Sequence, residues 1–212
     1  MNVARTRIGT GRLYQRSGAA HAWEAERMQV LTPEHPPRRF EWLRARRDQT
    51  AEAEGRALEK LLAPVLDDSY VLVLSPRIPG VDRGLHGLLI GPGGVRALLV
   101  RHWNGHFRQR GRAWEYDARG RRGWVPCRTD PTRDGRRIVD QVGRWMTDAL
   151  GTRLPIEAAI AFPDRHSRIE LTSDPVTEVV TIDNAPWWAN RVGRVRQLDG
   201  RSAGRLLEAL GA

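Results

Sequence analysis

One pair of histidines has a spacing that is used in metal sites. His102 and His106 are four residues apart, and on a helix that spacing places two side chains on one face, as zinc binding requires. Here the pair flanks Trp103-Asn104-Gly105, a sequence typical of a strand end followed by a turn. The sequence offers no evident third ligand. We therefore expect two polar surface histidines and no bound metal.

The sequence also lacks recognisable nucleophile and nucleotide-binding motifs. Cys127 is the single cysteine, so the chain can form no internal disulfide and no thiolate cluster. Gly91-Pro92-Gly93-Gly94 lacks the lysine and the helix start of a phosphate-binding loop, which indicates a turn between two strands. None of the serines lies in a Gly-x-Ser-x-Gly motif. We predict an ordinary thiol at Cys127 and no cofactor.

The charge of the chain comes almost entirely from arginine. The formal net charge is +10, and Lys60 is the only lysine among 35 basic residues. A GC-rich genome would explain the preference for arginine over lysine, but it would not explain the excess of charge. A basic surface most often serves nucleic acid through phosphate contacts. A solvated positive face without a partner explains the charge equally well.

Basic and aromatic residues are interleaved in the middle of the chain. Eleven arginines and four acids lie between Arg101 and Arg137. Guanidinium groups beside aromatic rings suit phosphate neutralisation and base stacking, although the rings also fit the core of adjacent strands, which we favour. The aromatic residues are Trp103, Phe107, Trp114, Tyr116 and Trp124. The candidate nucleic-acid-binding residues are Arg101, Arg108, Arg110, Arg112, Arg121 and Arg122.

The elements that must position these residues alternate between helices and strands. Thr50 is a predicted helix cap, followed by acids in the first turn and by Pro64 as the stop. Apolar runs predict strands at Tyr70–Leu74, Leu85–Ile90, Val95–Val100, Ile156–Phe162 and Thr177–Ile182. A short hairpin on the same sheet is predicted at His106–Arg110 and Ala113–Tyr116. Further helices are predicted from Thr132 to Leu150 and from a Ser202 cap through Leu210.

These elements divide the chain into three parts. Residues 1–49 are predicted to be a basic, partly disordered arm, with a possible short helix around Phe40–Arg47. Residues 50–190 form the predicted domain, and residues 191–212 are a C-terminal extension with a short helix. Because no run of eighteen apolar residues and no signal-peptide pattern occurs, we expect a cytoplasmic α/β protein without a membrane partner.

The αβββαβ order with a glycine-rich hairpin resembles the restriction-endonuclease-like PD-(D/E)XK fold. Within that superfamily the chain is similar to the nuclease-related domain (NERD) family over about residues 51–183. The residues that carry the resemblance are Ala53 to Arg56, Leu88 to Val95, Leu98 to Gly105, Trp114 and Asp130-Pro131. The resemblance implies a mixed central sheet flanked by helices.

The resemblance also implies a metal-dependent nuclease site, whose ligands this chain has lost. His86 takes the place of the aspartate, and Leu99 and Arg101 take the places of the glutamate and lysine. Arg56 and Asp134 replace the glutamate of the first helix and the glutamine of the second. Leucine cannot bind Mg²⁺, and arginine stays protonated near neutral pH. The expectation is a degenerate domain without the standard cleavage chemistry.

Three functions remain open from the sequence. The first is weak, non-specific nucleic-acid binding through Arg101, Arg108, Arg110 and neighbouring arginines. A related hypothesis is that His86 and Arg101 face each other across the strand pair and hold a phosphate or carboxylate. The second is a protein-interaction module that docks through the arm and the Trp187-Trp188 pair, although we favour core packing for those tryptophans. The third is a nuclease that holds its divalent metal with relocated acids. The candidate relocated acids are Glu54, Asp82 and Glu115.

Overall fold

The structure is a computed structural model that describes residues 6–7, 28–32, 41–81, 84–118, 123–171, 177–194 and 197–211. The predictions for Asp82, Arg121, Arg122 and most of the arm therefore lie outside the described residues. In chain order the elements are β1 (Thr6–Arg7), β2 (Gln29–Leu31), α1 (Glu41–Leu62), β3 (Val71–Leu74), β4 (Gly87–Gly91), β5 (Gly94–Val100), β6 (Gly105–Arg110), β7 (Ala113–Asp117), β8 (Trp124–Pro126), α2 (Pro131–Leu150), β9 (Ile156–Phe162), β10 (Ser167–Leu171), β11 (Glu178–Thr181), α3 (Ala185–Gly193) and α4 (Gly200–Leu210).

The larger sheet has both parallel and antiparallel strands. Its order in the described chain is β1-β2-β3-β4-β5-β9-β11. Strands β3, β4 and β5 form an antiparallel meander, whereas β9 is parallel to β5 and β11 is parallel to β9. The prediction of an α/β protein with a mixed sheet and flanking helices is confirmed at this level.

Helices cover both faces of this sheet, which explains why its central strands are continuously apolar. Successive side chains of a strand point to opposite faces. Accordingly, Leu98 belongs to a cluster that includes residues of α1 and α3, whereas Leu99 belongs to one that includes residues of α2 and α4. Every residue of β5 is buried. The predicted strands at Tyr70–Leu74, Leu85–Ile90 and Val95–Val100 are confirmed within a few residues.

The first helix begins earlier than the sequence predicted. It spans 22 residues from Glu41, so Thr50 lies inside α1 and does not cap it. No glycine or proline occurs between Glu41 and Gly55, and the arginines of this segment are good helix formers. The short helix predicted at Phe40–Arg47 is therefore part of α1. The predicted arm also supplies β2, which pairs in parallel with β3.

The predicted second hairpin is confirmed, but it does not belong to the main sheet. Strands β6 and β7 lie in a separate sheet of order β10-β6-β7-β8, where β10 runs parallel to β6. The chain leaves β5 through Gly105, whose φ of 124° favours glycine and allows the change of direction. Trp103 and Trp114 pack with Phe162 between the two sheets.

Two later helices, α2 and α4, lie where the sequence predicted them, whereas α3 was not predicted. α2 begins after Asp130, whose side chain accepts a hydrogen bond from the Arg133 N–H, and ends at Gly151 in the left-handed conformation. α4 is capped by Asp199, which accepts from Ser202, so the predicted Ser202 cap is wrong. Within the described segments, no helix is long and apolar enough to cross a bilayer.

Candidate functional site

The positions that would carry nuclease chemistry lie together where β5 ends. The backbone N–H of His86 donates to the Leu98 carbonyl at 2.9 Å, and the Arg101 N–H donates to the Ala161 carbonyl at 2.9 Å. Between them, Leu99 is fully buried in the cluster beneath α2. A buried hydrocarbon side chain offers no oxygen to a cation, so Leu99 serves packing.

Arg101 is held by an acid from α2. Its Nη2 donates to Asp134 Oδ2 at 2.8 Å, and its Nη1 donates to the Val100 carbonyl at 2.9 Å. The side chain of Arg101 is 18% exposed, so water screens this ion pair only in part. Asp134 thereby pairs with the residue that the resemblance aligns with the nuclease lysine. The sequence analysis singled out both residues but did not predict that they pair.

His86 is held by the backbone and by an acid from α1. Its Nδ1 accepts the Val100 N–H at 3.1 Å, and its Nε2 lies 3.3 Å from Glu54 Oε2. Because Nδ1 accepts a hydrogen bond, the ring proton of the neutral imidazole is on Nε2, where it faces the carboxylate. His86 and Glu54 are both largely buried, with side chains 11% and 19% exposed.

Both basic residues of the predicted anion-binding cleft have an acidic partner. Glu54 of α1 contacts His86, and Asp134 of α2 pairs with Arg101. Of the predicted relocated acids, Glu54 does reach this site. Glu115 instead pairs with Arg108 in the smaller sheet, with Nε and Oε2 at 2.6 Å. Across the described residues, no three His, Cys, Asp or Glu side chains gather as metal ligands.

The predicted nucleic-acid-binding arginines fall into distinct environments. Arg108 pairs with Glu115 and lies over the Trp124 ring, 4.3 Å from its centroid, so its charge is compensated. Arg110 and Arg112 are exposed at the turn between β6 and β7 and have no acidic partner within the described chain. Arg101 is paired, as described above, and Arg121 and Arg122 lie outside the described residues.

Two arginines that the sequence analysis did not select join Arg110 and Arg112. Gln109 Nε2 and Trp114 Nε1 donate to the Thr132 hydroxyl at 3.2 and 2.8 Å, which fixes the hairpin against the start of α2. The Cys127 N–H donates to the Trp114 carbonyl at 2.8 Å, which brings the following residue beside the hairpin. We call the resulting exposed surface the hairpin patch; it consists of Arg110, Arg112, Arg128 and Arg133.

The aromatic residues of this region mostly belong to the core, as favoured from the sequence. Trp114 is 3% exposed in the cluster between the sheets, and Phe107 stacks on Trp103 with centroids 4.5 Å apart. Tyr116 is 39% exposed, and Trp124 lies partly exposed against His106 and Arg108. His106 Nε2 lies 2.8 Å from Glu170 Oε1, so one ring nitrogen of this histidine is engaged by an acid.

Cys127 is expected to react slowly. Burial raises the pKa of its thiol to about 11, and the neighbouring Glu115 carboxylate acts in the same direction. Only the thiolate is nucleophilic, so alkylation by iodoacetamide at pH 8 should be about a hundredfold slower than for the unfolded chain. Mass spectrometry of labelling against pH, with and without urea, measures this. Half-maximal labelling near pH 9 in the folded protein would contradict it.

Comparison with known proteins assigns no family to this chain. No family model, no curated protein and no solved structure matches it. The class of protein is therefore defined by its own fold and site: an α/β protein whose mixed sheet lies between helices and in which two basic side chains at the end of β5 each contact an acid.

Proposed function

We propose that this chain is a non-catalytic, restriction-endonuclease-like domain of the NERD type that binds nucleic acid weakly and without sequence preference. Binding occurs at the hairpin patch and not at the end of β5. The observation that carries the proposal is the set of four exposed arginines at the hairpin turn, in the loop before α2 and in its first turn, none of which has an acidic side-chain partner in the described residues. Phosphate neutralisation by such a cluster supplies sequence-independent affinity.

The topology supports the fold assignment within this proposal. α1 precedes an antiparallel meander of three strands, and α2 then leads into β9, which is parallel to β5. The two helices pack on opposite faces of the sheet. This is the αβββαβ arrangement that the resemblance implies.

The end of β5 supports the absence of standard cleavage chemistry. A nuclease of this class needs oxygen ligands for a hard divalent cation and a base that can give up its proton. Leu99 provides apolar packing, and Arg101 forms an ion pair with Asp134. Glu54, the acid that reaches the site, is engaged with His86.

The balance of charge supports the hairpin patch as the interface. Two acids lie close in sequence to Arg128 and Arg133, and both are engaged elsewhere. Asp130 caps α2 by accepting the Arg133 N–H at 3.1 Å, and Asp134 pairs with Arg101. The outer residues of the smaller sheet pair acids with bases, as Arg108 does with Glu115. An uncompensated positive potential therefore remains at the hairpin turn.

Salt dependence tests this proposal. If the patch neutralises about four phosphates, the logarithm of affinity for duplex DNA should fall with the logarithm of salt at a slope of about −3.6. Replacing Arg110 and Arg112 by glutamine should reduce that slope by about 1.8. The measurement is fluorescence anisotropy with labelled DNA and RNA between low and moderate ionic strength.

A matched control separates the patch from net charge. Arg153→Gln with Arg201→Gln removes the same charge from exposed positions before β9 and in α4, and it should leave the slope near the wild-type value. If both double variants lower the slope equally, the patch is not the interface. Cleavage that requires Mg²⁺ or Mn²⁺ and is lost in Glu54→Ala would instead establish a relocated nuclease site.

A protein-interaction module is the second candidate, because Trp187 is the most exposed of the large hydrophobic side chains in the described residues. Trp187 is 66% exposed on α3, with the Arg191 guanidinium 5.3 Å from its ring centroid. A partner docked on Trp187 would bind with little dependence on salt, since the contact is apolar. Salt-insensitive complex formation that Trp187→Ala abolishes would favour this function over phosphate binding.

A further inference from the structure

A pocket of about 420 Å³ lies at the opposite end of β6 from the hairpin patch. Its volume falls within the range of small-molecule sites. The pocket is lined by Asn104, Gly105, His106, Asp117, Arg165, His166 and Arg168. The site at the end of β5, which the proposed function treats as inactive, shares none of these residues.

Two loops that follow parallel strands build this pocket. One loop leaves β5 and the other leaves β9, and the Gly105 N–H donates to the His166 carbonyl at 3.1 Å. Ser167 Oγ also donates to the Trp103 carbonyl. In open α/β sheets, ligands bind in the crevice outside the carboxyl ends of such strands.

Hydrogen bonds hold the second loop in place. Asp164 Oδ1 accepts the backbone N–H of His166 at 2.8 Å and lies 3.2 Å from its Nδ1. The same strand register sets Arg168 opposite His106. Arg165 and Arg168 are thereby presented to the pocket from a fixed turn and from a paired strand.

The lining favours an anion of more than one charge. Arg165 and Arg168 are exposed and have no acidic partner in the segments that the structure describes. Asp117 is the acid in the lining itself, and its Oδ2 lies 4.0 Å from His106 Nδ1. The acids next to the lining contact its histidines and not its arginines: Glu170 contacts His106, and Asp164 contacts His166. Two guanidinium groups with an asparagine amide suit a phosphate monoester, which accepts several charge-assisted hydrogen bonds.

The outer face of the smaller sheet connects this pocket with the hairpin patch. Every second side chain of β6 lies on this face, namely those of His106, Arg108 and Arg110. Trp124 contacts His106 and Arg108. The four residue steps from His106 to Arg110 span about 13 Å. Measured along the helix axis, that length corresponds to the rise of roughly four phosphates of one strand of a duplex.

We propose that this pocket binds the terminal phosphate monoester of a nucleic-acid strand whose backbone lies on the hairpin patch. That the phosphate belongs to a nucleic-acid strand rests on the proposed function. That the pocket binds a phosphate monoester does not. Arg165 and Arg168 contact the phosphate, and Asn104 donates from the facing loop. His106 and Asp117 form the opposite wall.

Oligonucleotides that differ only at their ends test the proposal. One sequence with an internal fluorescent label is prepared with hydroxyl ends, with a 5′-phosphate or with a 3′-phosphate, and its anisotropy is followed at about 50 mM salt. One of the two phosphates should lower Kd about tenfold relative to the hydroxyl ends, as charge-assisted hydrogen bonds provide. Arg165→Gln with Arg168→Gln should remove that preference, whereas the Arg153→Gln and Arg201→Gln control should keep it.

The outcomes separate the pocket from the proposed function. Salt-sensitive binding with no preference for either terminal phosphate would overturn the pocket and leave the proposed function standing. A preference that survives Arg165→Gln with Arg168→Gln would also overturn it. Calorimetry with AMP distinguishes a nucleic-acid end from a free phosphate monoester. If AMP binds and needs both arginines while no oligonucleotide binds, the pocket is a phosphate-monoester site. That result would refute both the strand end as ligand and the proposed function.

Discussion

A glutamate at position 99 is expected to unfold the protein and not to restore a metal-binding pair. Leu99 is fully buried between β5 and α2, in a cluster with Ile138 and Val142. Losing the leucine from a core typically costs about 2–5 kcal/mol, and burying a carboxylate adds to that cost. The free energy of unfolding in urea should therefore fall by about 5 kcal/mol or more, which is comparable with the whole stability of many domains.

A matched substitution separates this effect from mere disturbance of the strand. Leu99→Met keeps the volume and the apolar character, so it should lower the free energy of unfolding by less than about 1.5 kcal/mol. The double variant Leu99→Glu with Arg101→Lys reproduces the acidic and basic pair that the resemblance implies. If that variant folds with wild-type stability and cuts DNA with Mn²⁺, position 99 is a latent catalytic site and the packing argument fails.

The two neighbouring tryptophans of α3 should respond to alanine in opposite ways. Trp188 is fully buried in the cluster with α1, and its Nε1 donates to Glu178 Oε2 at 3.0 Å. Removing it leaves a large cavity, for which a loss of about 3–5 kcal/mol is typical. Trp187 is 66% exposed, and Trp187→Ala should cost less than about 1 kcal/mol.

Glu178 makes the Trp188 substitution more severe than a cavity alone. Burial raises the pKa of the Glu178 carboxyl, while Arg96, the Trp188 N–H and Arg191 oppose that rise. Trp188→Ala removes one of these opposing partners and leaves the carboxylate less well satisfied. Trp188→Phe keeps most of the volume and should fall between the two alanine variants in urea unfolding. Equal losses for Trp187→Ala and Trp188→Ala would contradict the assignment of their environments.

The elements that the sequence predicted well are those whose buried side chains recur at the regular spacing of a strand or a helix. Val95–Val100 is apolar because both faces of β5 are covered, and α2 shows its buried side at helical spacing. The weaker elements have no such signal. β10 alternates polar residues in Ser167–Leu171 and is held by pairing with β6, and α3 is short. β10 is a strand because it pairs with β6, and its amino-acid composition alone does not indicate this.

The sequence analysis could select the residues of the candidate site but not their contacts. It selected Leu99 and Arg101 by aligning one strand with the pattern of the family that the chain resembles. The partners Glu54 and Asp134 come from helices on opposite faces of the sheet, so sequence distance conceals their approach to β5. The hairpin patch was missed for the same reason, because a hydrogen bond to Thr132 joins the hairpin to α2.

The parallel pairing of β5 with β9 also has a consequence for the nascent chain. Arg96 and Glu157 face each other in this pairing although they are 61 residues apart in sequence. At typical rates of synthesis the ribosome needs roughly 3–12 seconds to make that interval. During this time one edge of a continuously apolar strand has no partner, and such edges template aggregation. We therefore expect the speed of translation across residues 101–155 to affect the yield of correctly folded protein.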